Sequence, residues 1–263
     1  IIKSMNRRKF FMHPRNKYKQ EPNFKQLAIL YPEFRKIAIT DLAGKVKINF
    51  HDLESLRVLA KTLLKHDFNL NVEIPSTKLV PAIPSKLNYI LWIEDLLRHA
   101  KYTDISKTSG IDIGTGAVCI YPLLFSRIYG CNMIGTEIDV ESYESALRNV
   151  NCNNLGHLVK GECFKKLNTV WYKSILQMNT FKHFRMPPRN APSGSEFELI
   201  VEGGETQFVL KMLQDSIELK DKVQIYTTML GKKTSLIFLR NELKKLNIEN
   251  ETWTEFCQGH TTR

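Results

Sequence analysis

A short apolar strand that ends on two glycines and runs into a helix limits this chain more than any other feature. In "SGIDIGTGAVCIYPLL", Ser109 to Leu124, the strand Ile111–Ile113 leads to Gly114-Thr115-Gly116, and the pattern predicts a helix from about Ala117 to Tyr129. Glycines allow backbone angles and a close approach that a Cβ would obstruct. Strand, glycine turn and helix in that order open a unit that can lay a ligand against bare main chain. Ordinary strand–helix packing uses the same pattern, so the turn needs a partner before it implies a site.

That partner is Glu137, which ends the next strand, "CNMIGTEI", ahead of a helix through "VESYESALRNVN". A carboxylate there can accept hydrogen bonds from two ribose hydroxyls. Nicotinamide dinucleotides and S-adenosylmethionine both use an acid at that point, so Glu137 does not discriminate between them. The dinucleotide fingerprint places a third Gly or Ala where this chain has Cys119. S-adenosylmethionine has no pyrophosphate to cradle on a helix N-terminus, and the departure leans toward it. A nicotinamide oxidoreductase remains open, resting on the turn and Glu137 alone.

Around this unit the chain reads as alternating β and α elements, which implies an α/β fold with a parallel sheet and ligands beyond the strands' carboxyl ends. Helices are expected over Asn23–Ile37, Asp52–Lys65 (with Asp52 as cap), Lys86–His99, Thr206–Glu218 and Ser235–Leu246. Strands are expected over Lys45–Phe50, Asn69–Pro75, "KVQIYTTML" and "ETWTEFC". With 43% apolar and 25% charged residues in 263, the chain can bury a sizeable core. Five cysteines without a C-x-x-C pair read as reduced intracellular thiols, and no His/Cys spacing suggests a metal. No apolar run is long enough to cross a bilayer, and the basic start lacks the core of a signal peptide.

The charge is uneven. Thirty-eight Lys and Arg against 27 Asp and Glu give +11. Lys3, Arg7, Arg8, Lys9, Arg15, Lys17, Lys19 and Lys25 are opposed in the first 25 residues only by Glu21, with Phe10, Phe11, Tyr18 and Phe24 interleaved. Basic groups release phosphate counterions and aromatics stack on unpaired bases, a pairing suited to nucleic acid. A solvated tail or an acidic membrane surface is the blander alternative. The nucleus is the expected address, with the cytoplasm as a further one, and "NRRK", Asn6 to Lys9, fits part of a nuclear import signal.

Six blocks in order, "IPSKLNYILWIEDLL", "GIDIGTGAVCIYPLL", "TEID", "EGGETQFV", "MLGKKTSL" and "TEFCQGHTTR", resemble the adenine-N6 RNA methyltransferases of U6 small nuclear RNA and their bacterial ribosomal-RNA relatives. The resemblance implies a Rossmann-like, S-adenosylmethionine-dependent methyltransferase. It also implies a structured RNA hairpin as partner, of small nuclear or messenger RNA type. Residues 1–105 would form a basic, mostly helical RNA-binding extension and 106–263 the methyltransferase domain. Carried over by position, Lys86, Gly114, Gly116, Val118 and Glu137 would hold the cofactor. Lys86 stands where the resemblance implies an Arg, and it keeps the charge but loses the bidentate fork. Val118 replaces a small hydroxyl residue, leaving only a backbone contact. Arg15, Lys17, Lys19, Phe24, Arg185, Arg189, Lys232, Lys233 and Arg263 would face RNA.

The pattern departs from that family in two places. The family's Asn-Pro-Pro-Phe turn, which orients the adenine amine, has no counterpart here, so no catalytic residue can be named. "LGHLVKGECFKKLNTVWYKSILQMNTFKHF", Leu155 to Phe184, does not resemble the family, and the domain is expected to be incomplete around 160–185. An aromatic-rich strand follows "CQG" in the family, whereas this sequence ends at Arg263. A truncated product, a shortened isoform, a faulty gene model or an RNA-binding relative without catalysis would each account for both departures.

Overall fold

The computed structural model describes residues 12–163, 204–219, 222–258 and 261–262. Residues 15–163 belong to one compact unit and those from 204 onward to another. Position 105 therefore lies inside the first unit.

The first unit begins with a 3-10 turn at Lys17–Lys19, followed by α1 (Phe24–Leu30) and α2 (Pro32–Ile37). One helix was expected over Asn23–Ile37. Pro32 has no N–H and pushes the preceding residue out of the helical region, so Tyr31 is extended at φ −119° and the helix breaks there. The strand expected over Lys45–Phe50 contracts to β2 (Val46–Lys47), antiparallel to β1 (Ile39–Thr40). The Asp41 carboxylate accepts from the N–H groups of Ala43 and Lys45, which makes the first expected strand residue part of a turn.

Helix α3 (Leu53–Phe68) starts where the sequence predicts, because Asp52 accepts from the Ser55 N–H and hydroxyl at 2.8 and 2.6 Å. Helix α4 (Ile83–His99) begins earlier than Lys86, since Pro84 suits a first turn whose N–H groups have no helical partner. Between them, the strand expected over Asn69–Pro75 does not form: Asn69 caps α3 in the left-handed region at φ +51°, and residues 70–75 pair with no strand. The segment's backbone partners are side chains, described below.

The sheet is β3 (Ser109–Ile113), β4 (Asn132–Glu137) and β5 (Val159–Cys163), all parallel with β4 central. Helices α5 (Ile120–Tyr129) and α6 (Val140–Cys152) make the crossovers. This is the expected α/β, Rossmann-like arrangement. Strand β5 lies in the stretch the sequence left unassigned, because "VKGEC" shows neither an apolar run nor strict alternation. Gly161 lets α6 pack closely on the strand: a Cβ there would meet Leu147 at 3.0 Å and Tyr143 at 3.1 Å. Leu64, Leu70, Ile83, Ile90, Leu123 and Leu124 are fully buried, each stabilising the fold by about 1.5–3 kcal/mol. Registers Ile113↔Thr136 and Glu137↔Cys163 bring the three carboxyl ends level. The glycine turn and Glu137 thus emerge side by side.

The second unit holds α7 (Gly204–Glu218), α8 (Lys233–Lys245) and a short antiparallel pair, β6 (Cys257–Gln258) with β7 (Thr261–Thr262). "KVQIYTTML" forms no ladder among the described residues, and of "ETWTEFC" only Cys257 is in a strand. Both were expected to be strands.

Candidate functional site

The turn after β3 is left-handed at three of its residues: Gly114 (φ +74°), Gly116 (φ +66°) and Cys119 (φ +57°). This run delays α5 to Ile120, three residues later than the sequence predicts. The N–H groups of Gly114 and Thr115 both donate to the Thr136 carbonyl, at 3.0 and 2.9 Å, which latches the turn to the end of β4. A Cβ built on Gly114 would meet nothing within 4 Å. The constraint at Gly114 is therefore conformational, and the space above its backbone is open.

Glu137 is 9% exposed and faces this turn. Its Oε2 accepts from the Gly116 N–H at 2.9 Å, while Oε1 accepts from Ile138 and Asp139 N–H at 2.8 and 3.0 Å. A carboxylate offers about four acceptor positions, so three backbone bonds fix it without exhausting it. Lys86, in the first turn of α4, brings its Nζ to 3.3 Å from the Tyr121 hydroxyl and 4.6 Å above that ring. Val118 is 5% exposed with its side chain in the core, leaving its backbone to meet a ligand. The five residues expected at the cofactor thus lie on the turn, at the end of β4 and on α4.

Asp112 was not singled out in the sequence, and it belongs to this site. Burial raises its carboxyl above the usual range, opposed by a Thr115 hydrogen bond and the Lys86 charge and reinforced by Glu137. Its Oδ2 is out of reach of solvent and has no hydrogen-bond partner. The available signal was a carboxylate inside a three-residue apolar strand. Cys119 is pushed up to about 12 by burial, so its thiol stays protonated and is no nucleophile at neutral pH.

The RNA candidates fare differently. Arg15 pairs with Glu94 at 2.7 Å and with Asp95, and Lys17 pairs with Asp67 while lying 5.8 Å above the Phe68 ring. Phe24 packs against Phe34 and Phe50 at 5.6 and 6.4 Å. These three side chains tie the basic arm and α1 to the body of the first unit. Lys19 is half-buried. Lys232 and Lys233 are exposed at the start of α8, with Lys233 3.9 Å from Glu255. A residue the sequence did not flag sets their turn: Glu205 accepts from the Gly231 N–H at 2.7 Å and the Ser235 hydroxyl at 2.6 Å. Arg185, Arg189 and Arg263 lie outside the described residues. Among the described residues, no three His, Cys, Asp or Glu gather as a metal site, and no helix is long and apolar enough to cross a membrane.

Comparison with known proteins agrees with this geometry. A family model described as RNA methyltransferase matches residues 6–185 and 175–263. The chicken (Gallus gallus) RNA N(6)-adenosine-methyltransferase METTL16 is 41% identical over 96% of this chain, which spans 50% of that protein. The U6 small nuclear RNA (adenine-(43)-N(6))-methyltransferase of Drosophila melanogaster is 37% identical over 96% of this chain and 90% of its own length. The chain thus spans about half the length of several METTL16 relatives it matches. The human METTL16 catalytic domain in complex with a MAT2A 3'UTR hairpin superimposes with a TM-score of 0.81 at 38% identity, covering 96% of this chain and 93% of that one. The human N-terminal domain in complex with SAH gives 0.79 at 39% identity, covering 96% of each. The chain belongs to the RNA methyltransferase family.

Proposed function

We propose that this chain binds S-adenosylmethionine in the turn between β3 and α5 and methylates the exocyclic amine of an adenosine in an RNA hairpin. The observation that carries the reading is the Glu137 carboxylate, held by three backbone N–H groups beside an open glycine turn. The residues present fit that cofactor. Gly114 offers bare main chain, Glu137 an acceptor for a ribose diol, Lys86 a cation for a carboxylate, and Asp112 a buried oxygen still lacking a donor. When bound, the cofactor supplies an activated methyl group on a sulfonium.

The chain's own groups bind and orient. Glu137 holds the sugar through charge-assisted hydrogen bonds, which are roughly twice as strong as neutral ones. Lys86 grips the methionine end as a point charge without the fork of an Arg. No metal or covalent nucleophile enters this scheme, in which positioning and electrostatics carry the rate. Lys19, Lys232 and Lys233 are assigned to phosphates, together with Arg185, Arg189 and Arg263. Arg15, Lys17 and Phe24 contribute by holding the arm and α1 in place.

The substrate class, a hairpin of U6 small nuclear or messenger RNA type, follows from what the relatives' names state. The nucleus is proposed as the address on "NRRK" at Asn6–Lys9, and a tagged chain confined to the cytoplasm would oppose it. The absence of an Asn-Pro-Pro-Phe turn favours a second reading, an RNA-binding protein on the same fold without transfer. Incubation with a methyl-labelled donor and hairpin RNA, then nucleoside digestion, separates the two. Label in N6-methyladenosine supports the enzyme. Salt-sensitive hairpin binding without label, beside an active relative, supports the binder. Neither binding nor label would remove both.

A further inference from the structure

We infer that Asn149 is a positioning residue for the cofactor turn, clamping its helix-proximal end as Thr136 clamps the other. The inference rests on the methyltransferase reading and adds to it a residue outside the ligand's reach. Asn149 lies on helix α6 and Asn153 is the C-cap of that helix, four residues later, and both reach segment 71–73. Residues two apart in an extended chain and four apart in a helix are both separated by roughly 6–7 Å, so the pair matches the segment's spacing. Asn153 accepts from the Asn71 N–H at 2.8 Å and donates to its carbonyl at 2.6 Å. Asn149 does the same for Glu73, at 2.7 and 3.0 Å. The two amides replace the missing strand.

Asn153 also donates to the Asn149 carbonyl at 2.7 Å, but of the two amides Asn149 is the one that reaches the turn. Its Nδ2 also donates to the Ala117 carbonyl at 3.2 Å, between Gly116 and Val118. Ala117 precedes α5, whose first ladder bond runs from the Leu123 N–H to Cys119 O. Asn149 is fully buried, and both its amide hydrogens and its oxygen are engaged, so its orientation is fixed. Between the Thr136 latch, which holds Gly114 and Thr115, and the Asn149 latch at Ala117 lies Gly116, which donates to Glu137. A turn held at both ends is preorganised, which lowers the cost of ordering it around a ligand.

Asn153 supplies the comparison, because it braces the same segment and, through the Asn149 carbonyl, the helix backbone, without a bond to the turn. Calorimetry with S-adenosylhomocysteine on the full chain compares wild type, Asn149→Asp and Asn153→Asp. Asn149→Asp keeps the acceptor for the Glu73 N–H and loses both donations. It is expected to weaken binding by about 10- to 100-fold, the range for an unpaired buried acceptor. Asn153→Asp should stay within about threefold. Hydrogen exchange provides the second readout, with faster exchange across 114–118 in Asn149→Asp alone. Should Asn149→Asp not fold, Asn149→Ser replaces it in both measurements. Equal affinity losses in the two asparagine variants, or unchanged affinity and exchange in the Asn149 variant, would overturn the inference. Failure of the wild type to bind overturns the methyltransferase reading instead.

Discussion

Replacing Glu137 by Gln is the sharpest perturbation of the site, because it removes one acceptor and one charge at nearly constant volume. The glutamate accepts three backbone N–H bonds, two at Oε1 and one at Oε2. Gln has a single carbonyl oxygen, and its NH2 accepts nothing. With that oxygen toward Ile138 and Asp139, the NH2 faces the Gly116 N–H, donor against donor; the flipped amide loses two bonds instead of one. The smaller loss costs about 1–3 kcal/mol of stability, the range for a buried donor left unpaired. For the ligand, a charged acceptor contributes about 1.5–3 kcal/mol and a neutral one about 0.5–1.5 kcal/mol. Losing one acceptor and weakening the other adds up to about 2.5–4.5 kcal/mol, or roughly 70- to 2000-fold in affinity. Isothermal calorimetry with S-adenosylhomocysteine measures this, with a melting curve to report the stability term separately. Glu137→Asp, which keeps the charge but withdraws it, should fall between. An affinity within threefold of wild type for Glu137→Gln would refute the diol-binding role. Heat from NADH instead of the adenosyl ligand would transfer the site to nicotinamide chemistry.

Three further outcomes are expected. Lys86→Arg should tighten S-adenosylhomocysteine by about 3- to 10-fold, because the guanidinium fork meets a carboxylate at two points; calorimetry with the decarboxylated analogue should erase the gain. Asp139 caps α6 and pairs with Lys78 at 2.7 Å; burial raises its carboxyl, but hydrogen bonds from Lys78 and Ser142 more than offset that and hold it at about 2. The folded value lies below the ordinary aspartate value of 3.8, so this stabilisation is complete above that pH and lost as pH falls toward 2. After allowance for partial exposure it amounts to about 1–2 kcal/mol, and urea titrations of Asp139→Asn should show a correspondingly shallower acid decline. Leu124→Ala should destabilise the first unit by about 3–5 kcal/mol, since Leu124 is fully buried and the neighbouring core cannot collapse fully into the space; chemical denaturation reads this directly.

The two kinds of strand in this chain explain how much was legible in its sequence. Strands β3 and β4 carry apolar runs that end in a glycine turn and an acid, and both were placed from pattern alone. Strand β5 has Lys160, Gly161 and Glu162 at its centre and gave no such pattern, yet its place is fixed by pairing with β4 and by Tyr143 and Leu147 over Gly161. Asn69–Pro75 is the converse. Its alternating Leu70, Val72 and Ile74 read as a strand because they are buried on one side, at 0%, 5% and 5% exposure. Periodicity reports which face is buried, not what satisfies the backbone, and here the partners are the side chains of Asn149 and Asn153. A strand pattern and a strand are separated by a hydrogen-bond partner the sequence does not name.

The same distinction governs the charge. Counting cations in the first 25 residues treats each as available to phosphate, but a lysine or arginine is committed once a carboxylate from elsewhere in the chain reaches it. Arg15 meets Glu94, which also accepts from Arg98 and from the Tyr129 hydroxyl. Lys17 and the Tyr18 hydroxyl share Asp67. Asn16, 2% exposed, donates to the Pro84 carbonyl and to Asn88. These contacts fasten the arm to α3 through Asp67 and along α4, the helix whose first turn carries Lys86 toward Tyr121. The sequence therefore located the basic arm but not the carboxylates that Arg15 and Lys17 meet: these two act as fasteners, and on the proposed function the exposed lysines carry the contact with phosphate. A salt titration would express this as a slope, roughly −0.9 for each phosphate engaged on a duplex. Arg15→Gln should loosen the arm, lowering the melting temperature along with hairpin affinity. Lys232→Gln, at the exposed start of α8, should reduce the slope by about one and leave the melting temperature unchanged.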